Sequence, residues 1–363
     1  MKFSSYCVIS TLLLAGSLQA IAFADDTDLI SRAGLPLEQT ASRGIITRDP
    51  STIVKCKDEF WVFYTGHGIP SFHSKDLVKW EPGPPVFRTA PEWIAAAVPE
   101  NRNMNYWAPD VIHLGDRYLL YYSVSSFGKI TSAIGLATAP SLDPADPAYH
   151  WTDHGIVVQS REGGDFNTID PSVFSDDNGT LWLAFGSYWS GIKLVQLDPK
   201  TGKRLKPDAP LSSLAYNKSI EASCLYKHDG YYYLFVNWGS CCRGVNSTYN
   251  IRVGRSRKVT GPYIDKDGVD MLKAGGTLLL SSKGPLFGPG HTGILVDNGK
   301  SWFTSHFEGD TRMGGKATLA IMPLIWKSGW PRYKSSTNDA GPDPSACLFH
   351  WTNSLLDFPM KSK

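Results

Sequence analysis

Four acidic residues and one histidine occupy comparable points of a recurring phrase in this 363-residue sequence. They are Asp49 in Arg48-Asp49-Pro50, Asp110 in Ala108-Pro109-Asp110, Asp170 in Ile169-Asp170-Pro171, Glu221 in Ile220-Glu221-Ala222, and His291 in Gly290-His291-Thr292. Carboxylates gathered in one pocket repel one another unless some are protonated, hydrogen-bonded or metal-bound. Such crowding can separate an acid from a base within a single site. Taken singly, an Asp before Pro is an ordinary turn residue whose carboxylate bonds local backbone N–H groups. Five aligned positions argue instead for convergence, and the one Glu suggests a role of longer reach. His291, framed by Gly288, Pro289, Gly290 and Gly293, fits either a satisfied core histidine or a ligand of a metal ion or water.

The neighbours of these positions narrow the chemistry. Tyr106 and Trp107 precede Asp110, Tyr188 and Trp189 follow the third phrase, and Phe127 and Trp238 lie close to others. Each aromatic could simply pack. Together with the neutral donors Asn105, Asn167 and Ser187 they suit a sugar, which offers apolar faces and a rim of hydroxyls. A phosphorylated substrate would call for cations, and only Arg48 is at hand. No Gly-x-Ser-x-Gly elbow, P-loop or His-Glu-x-x-His motif is present, which disfavours serine-hydrolase, nucleotide and zinc-peptidase chemistry. With 36 Lys and Arg against 34 Asp and Glu, the chain has no general field for nucleic acid or an anionic membrane.

The elements that must position these residues are strands. The sequence holds 34 Gly, 24 Pro and 12% aromatics, a mix that disfavours helical bundles and suits short strands joined by turns. Each phrase is an apolar strand, a Gly or Asp turn and an aromatic strand, as in Val111-Ile112, Gly115-Asp116, Tyr118 to Tyr122. The phrases recur after 61, 60, 51 and 70 residues, measured from Asp49 through Asp110, Asp170 and Glu221 to His291. Each interval leaves room for two more strands, such as 134–138 and 192–197. Four strands per unit arranged radially make a β-propeller blade, so the expected fold is all-β, a five-bladed β-propeller whose first strands line the axis. A β-sandwich is the alternative, but it would not explain so long a period.

The ends read differently. Residues 1–24, with Lys2, an apolar run and Ala22-Phe23-Ala24, read as a secretory signal peptide, with an uncleaved anchor as the alternative. The propeller domain is then 25–333, followed by a tail over 334–363 with no assigned role. Removal of the peptide leaves Cys56, Cys224, Cys241, Cys242 and Cys347, an odd number for an exported chain. The adjacent Cys241 and Cys242 could be a vicinal disulfide or two buried thiols.

As a set these phrases resemble glycoside hydrolase family 43, and within it the arabinan endo-1,5-α-L-arabinosidases, or arabinanases. The resemblance is carried by Arg-Asp-Pro at 48–50, Trp-Ala-Pro-Asp-Val at 107–111, Asn-Thr-Ile-Asp-Pro-Ser at 167–172, Ile-Glu-Ala at 220–222, Cys-Cys-Arg-Gly-Val-Asn-Ser-Thr-Tyr at 241–249 and Gly-Pro-Gly-His at 288–291. It spans residues 45–333 and implies hydrolysis with inversion. By position it implies Asp49 as general base, Glu221 as general acid and Asp170 as the residue that raises and orients that acid. Asp110 has no catalytic part in it. Asp49, Trp107, Phe127, Gly128, Asn167, Thr168, Ile169, Asp170, Ser187, Tyr188 and Trp189 are the expected sugar-binding residues. His291 resembles a ligand, partly through water, of an axial structural calcium ion, and no organic cofactor is implied.

An inverting glycosidase keeps its two carboxyl groups about 6.5–9.5 Å apart, and opposed blades can set such a gap. The sequence departs from relatives at Ser223, where Pro is frequent, and at Arg48, where some have His. The expected protein is a secreted monomer, extracellular or periplasmic, acting on arabinan without nucleic acid or a retained membrane span. The alternatives are an exo-acting α-L-arabinofuranosidase or β-xylosidase, and a carbohydrate-binding propeller without turnover.

Overall fold

The computed structural model describes residues 41–333. The expected signal peptide and tail, with Cys7 and Cys347, lie outside the described residues. Five antiparallel sheets follow one another along the chain as the blades of a β-propeller. Blade one is Val54–Cys56, Glu59–Phe63, Ser71–Ser74 and Glu81–Gly83. Blade two is Asn105–Leu114, Arg117–Val124, Ser132–Ala139 and Thr152–Ser160, with the short Gly66–His67 added beside its first strand. Blade three runs Ser172–Ser175, Leu181–Phe185, Ile192–Leu197 and Ser212–Ala215, and blade four Glu221–His228, Tyr231–Trp238, Asn250–Ser256 and Thr277–Leu280.

Blade five is built from both ends of the described chain. Leu286–Asp297, Lys300–Asp310 and Lys316–Lys327 supply three strands, and Ala41–Ile46 supplies the outermost. Ala41 pairs with Ala320 and Ile46 with Thr318. The repeat does not reveal this strand, because it precedes the first recurring phrase and its partner lies at the far end of the sequence.

Strand periodicity explains the packing. Successive side chains in a strand point to opposite faces, so an inner strand of a radial blade serves two neighbours at once. In blade two, Leu120 and Tyr122 join Trp61 and Phe63 of blade one, whereas Leu119 and Tyr121 join Leu183 and Phe185 of blade three. Equivalent clusters fill the remaining gaps. Leu194 meets Leu234 between blades three and four, Phe235 meets Phe303 between four and five, and Val62 meets Leu319 and Ile321 between five and one. Each fully buried side chain of this size contributes about 1.5–3 kcal/mol, so the core is five interleaved slabs rather than one centre.

Where each chain segment enters its inner strand, one residue adopts positive φ: Asp49 at 49°, Ala108 at 42°, Asp170 at 58°, Ala222 at 52° and His291 at 50°. This left-handed conformation is costly for residues with a Cβ, least so for Asp, Asn and His. These five residues, one per blade, are the true structural equivalents, which corrects the alignment drawn from sequence. Asp110 lies two residues beyond its blade's equivalent position and Glu221 one residue before its own. The X-Pro pairs 49–50, 108–109 and 170–171 carry the correct register, whereas aligning on the acidic residues obscures it.

Candidate active site

The axial ends of the blades open into a cleft of about 800 Å³. Its lining includes Asp49, Trp107, Phe127, Gly128, Asn167, Ile169, Asp170, Ser187, Tyr188, Trp189, Glu221 and His291. Of the site residues expected from sequence, only Thr168 falls away from it. Its side chain is wholly buried and its N–H donates to Ser160 Oγ at 3.0 Å. Thr168 lies in the irregular stretch before Ser172–Ser175, whose backbone turns this one side chain away from the cleft that Asn167, Ile169 and Asp170 line. Tyr106 is likewise core, buried against Phe87 and Tyr122.

Asp49 is held from three sides. Its N–H donates to His306 Nδ1 at 3.0 Å, Thr65 Oγ donates to its Oδ2 at 2.6 Å, and His291 Nδ1 stands 3.1 Å from its Oδ1. Thr65 is itself aimed by the Ala108 N–H, which donates to its hydroxyl at 2.8 Å. Burial opposes ionisation of Asp49, but the adjacent His291 outweighs it and holds the carboxyl well below its usual range. The counterpart effect drives His291 well above the usual imidazole value, against burial, because Asp49 and Asp170 flank it. His291 Nε2 lies 3.8 Å from Asp170 Oδ1. His306, fully buried, is pushed down to about 3 and stays neutral.

Glu221 has the opposite environment. It is 6% exposed and accepts hydrogen bonds from Ser187 Oγ, at 2.7 Å to Oε2, and from the Tyr249 hydroxyl at Oε1. Burial and then the neighbouring charge of Asp170 push its carboxyl up to about 8. Asp170 Oδ2 also accepts the N–H of Ala222 at 3.1 Å, so it fixes the backbone next to Glu221. Gly290 makes Tyr249's approach possible: a Cβ there would stand 2.7 Å from the Tyr249 ring and 2.9 Å from Asn237 Nδ2. At neutral pH the site therefore holds an ionised Asp49 and a protonated Glu221.

Asp110, the remaining carboxyl of the sequence pattern, does not line the cleft. Its Oδ1 accepts the Thr52 N–H at 3.0 Å and its Oδ2 accepts the Val173 N–H at 2.8 Å, tying blade two to blades one and three. The structure thus makes it a staple.

Thr65, Tyr249, His306 and Glu308 were not identified from sequence. His306 and Glu308 reach their site partners from the far end of the chain, Thr65 lies 16 residues past Asp49 without a motif of its own, and only Tyr249, closing the 241–249 phrase, had a local signal. Glu308, buried, stands 3.5 Å from Arg48 and accepts the N–H groups of Cys242 and Arg243 at 2.8 and 3.1 Å. The cysteine pair is not two buried thiols: Cys241 is half-buried and Cys242 exposed, with their sulphurs unbonded and 2.8 Å apart.

Two features suit a sugar. Phe127 is 79% exposed and Trp189 41% exposed at the cleft, where sugar faces can stack. Neutral Asn105, Asn167 and Ser187 stand among the carboxyls. For a cation, Asp49, His291 and His306 present ligand atoms within 4.8 Å of one another. His306 Nδ1 is occupied by the Asp49 N–H, whereas the ring nitrogens of His291 face only carboxylates, Asp49 Oδ1 at 3.1 Å and Asp170 Oδ1 at 3.8 Å. The residues therefore fit an ion held by one imidazole nitrogen beside carboxylates, with oxygen ligands from water, the donor type that calcium favours.

Comparison with known proteins agrees with this geometry. The model of glycosyl hydrolases family 43 matches residues 45–331. The chain is 41% identical over 296 residues to the extracellular endo-α-(1→5)-L-arabinanase 1 of Bacillus subtilis, covering 79% of this chain and 88% of that one. It is 40% identical over 298 residues to the extracellular exo-α-(1→5)-L-arabinofuranosidase ArbA of Cellvibrio japonicus, covering 78% and 85%. The solved α-L-arabinanase of Cellvibrio cellulosa, complexed with arabinohexaose, superposes with a TM-score of 0.75 at 37% identity, over 80% of this chain and 96% of that one.

Proposed function

The chain belongs to glycosyl hydrolase family 43, and from that premise we propose that it is an exported arabinanase cutting internal α-1,5-L-arabinofuranosidic bonds of arabinan with inversion. The observation that carries the reading is the opposed state of two carboxyls in one cleft, Asp49 held ionised and Glu221 held protonated. Inverting hydrolysis requires this pair: one carboxylate activates water on one face of the sugar while the other carboxyl protonates the leaving oxygen.

In this mechanism Asp49, aimed by Thr65 and His306, takes a proton from the attacking water. Glu221 delivers its proton to the glycosidic oxygen, and Ser187 and Tyr249 keep its two oxygens oriented. Asp170 keeps Glu221 protonated until the bond breaks and steadies the adjoining backbone through Ala222. Phe127 and Trp189 support arabinose units along the cleft. A calcium ion, if held by His291 and Asp49, would supply fixed positive charge beside the carboxyls of the site.

An exo-acting reading is favoured by one observation, the Cellvibrio japonicus relative that carries an exo name at nearly equal identity. A time course on linear 1,5-α-arabinan separates the two. Endo action gives a ladder of arabino-oligosaccharides from the first minutes. Exo action gives a single short product throughout. Absence of the ladder from a Glu221→Gln control assigns the acid. Proton NMR of the first-formed anomer tests inversion, because a retained α configuration would exclude it.

A further inference from the structure

Past the second strand of blade four, the chain makes a tight turn that presents Cys241 and Cys242 to the cleft. The turn is pinned at several points. Ser240 N–H donates to Thr248 Oγ at 2.9 Å, Ser247 Oγ donates to Ser240 O at 3.0 Å, and Glu308 of blade five grips the N–H groups of Cys242 and Arg243. Cys242 has a φ of 64°, which folds the dipeptide back on itself. The two sulphurs consequently sit 2.8 Å apart, within hydrogen-bonding contact and facing one another. The other two described cysteines differ: Cys56 and Cys224 are buried in the blades, and burial raises the Cys224 thiol beyond any useful reactivity.

We propose that Cys241 and Cys242 are a modification site, a dithiol that closes to a vicinal disulfide on the cleft wall when it meets a low-molecular-weight disulfide. Cys242 starts the exchange. It is the exposed member, and the hydrogen bond with Cys241, helped by the Arg48 guanidinium, holds its thiol below the ordinary range. Its thiolate attacks one sulphur of the external disulfide, forming a mixed disulfide and releasing one thiol. Cys241 then gives up its proton and attacks the Cys242 sulphur, expelling the second thiol. Two protein thiols are oxidised, one external disulfide is reduced, and the two protons leave on the two released thiols.

Neighbouring Cα atoms are about 3.8 Å apart, short of the usual disulfide span of about 4.4–6.8 Å. The closed ring is therefore strained and readily reduced, which makes the site reversible.

The experiment incubates the reduced full chain with oxidised glutathione, quenches with acid, alkylates under denaturing conditions and maps the peptides by mass. The expected peptide over 241–242 carries neither alkyl group nor glutathione and has lost two hydrogens, while Cys56 and Cys224 are alkylated. Dithiothreitol restores both alkylation sites. In Cys241→Ser the second step is impossible, so glutathione stays on Cys242. Full alkylation of both cysteines after the incubation, or glutathione retained on the unsubstituted chain as the end product, would overturn the proposal.

Discussion

Asp110 and Glu221 are buried to the same degree, each 6% exposed, and burial raises both carboxyls, to about 6 and about 8. Their partners differ in kind. Asp110 is gripped by two backbone N–H groups, which can only donate and are fixed in place. Glu221 is met by the hydroxyls of Ser187 and Tyr249, which rotate and can either donate or accept. A carboxyl held by backbone is committed to one state and joins blades. A carboxyl held by hydroxyls can gain and lose a proton without leaving a buried donor unpaired, and only this one faces the cleft.

The comparison breaks first at the acid itself. Glu221→Gln keeps shape and most hydrogen bonds, so kcat on arabinan should fall about 10³-fold with the melting temperature nearly unchanged; an active variant would remove Glu221 from the reaction. Asp170→Asn should lower kcat about tenfold to a hundredfold and, by removing the charge that holds Glu221 up, move the alkaline limb of the rate profile to lower pH. In the unsubstituted protein that limb should lie near 8, since activity needs Glu221 protonated and is lost as pH rises through its value. A limb fixed in place by Asp170→Asn would contradict the electrostatic account.

Asp110→Ala should do the reverse of Glu221→Gln. It strands the N–H groups of Thr52 and Val173, so denaturant unfolding should show a loss of about 3 kcal/mol while kcat of the folded protein changes little. The smallest effect sharpens the contrast between hydroxyl and backbone partners. Tyr249→Phe removes one donor from Glu221 and should reduce kcat about threefold to tenfold, with little change in stability by calorimetry.

These contrasts show what the sequence could and could not convey. The hairpins of the blades were legible because period-two apolar runs and Gly or Asp turns are local. Asp49, Asp170 and Glu221 were legible because they head such hairpins. The distinction between Asp110 and Glu221 was legible only through the resemblance, because it depends on which donors arrive from other blades. His306 and Glu308 were hidden for the same reason, and Thr65, of the same blade as Asp49, because it carries no motif of its own. Thr168 was misplaced since it shares a stretch with cleft residues but not their face. The strand Ala41–Ile46 gave no repeat signal, because its pairing is with residues 318–320.

That strand also sets an order of events. During synthesis Ala41–Ile46 emerges when its partner, Lys316–Lys327, does not yet exist. The contact that shuts the ring must therefore form after nearly the whole chain has been made. Asp49 follows this strand by three residues and leans on His291 and His306 of the last blade. Until that clasp forms, Asp49 lacks two of the three groups that hold it, so hydrolysis awaits it.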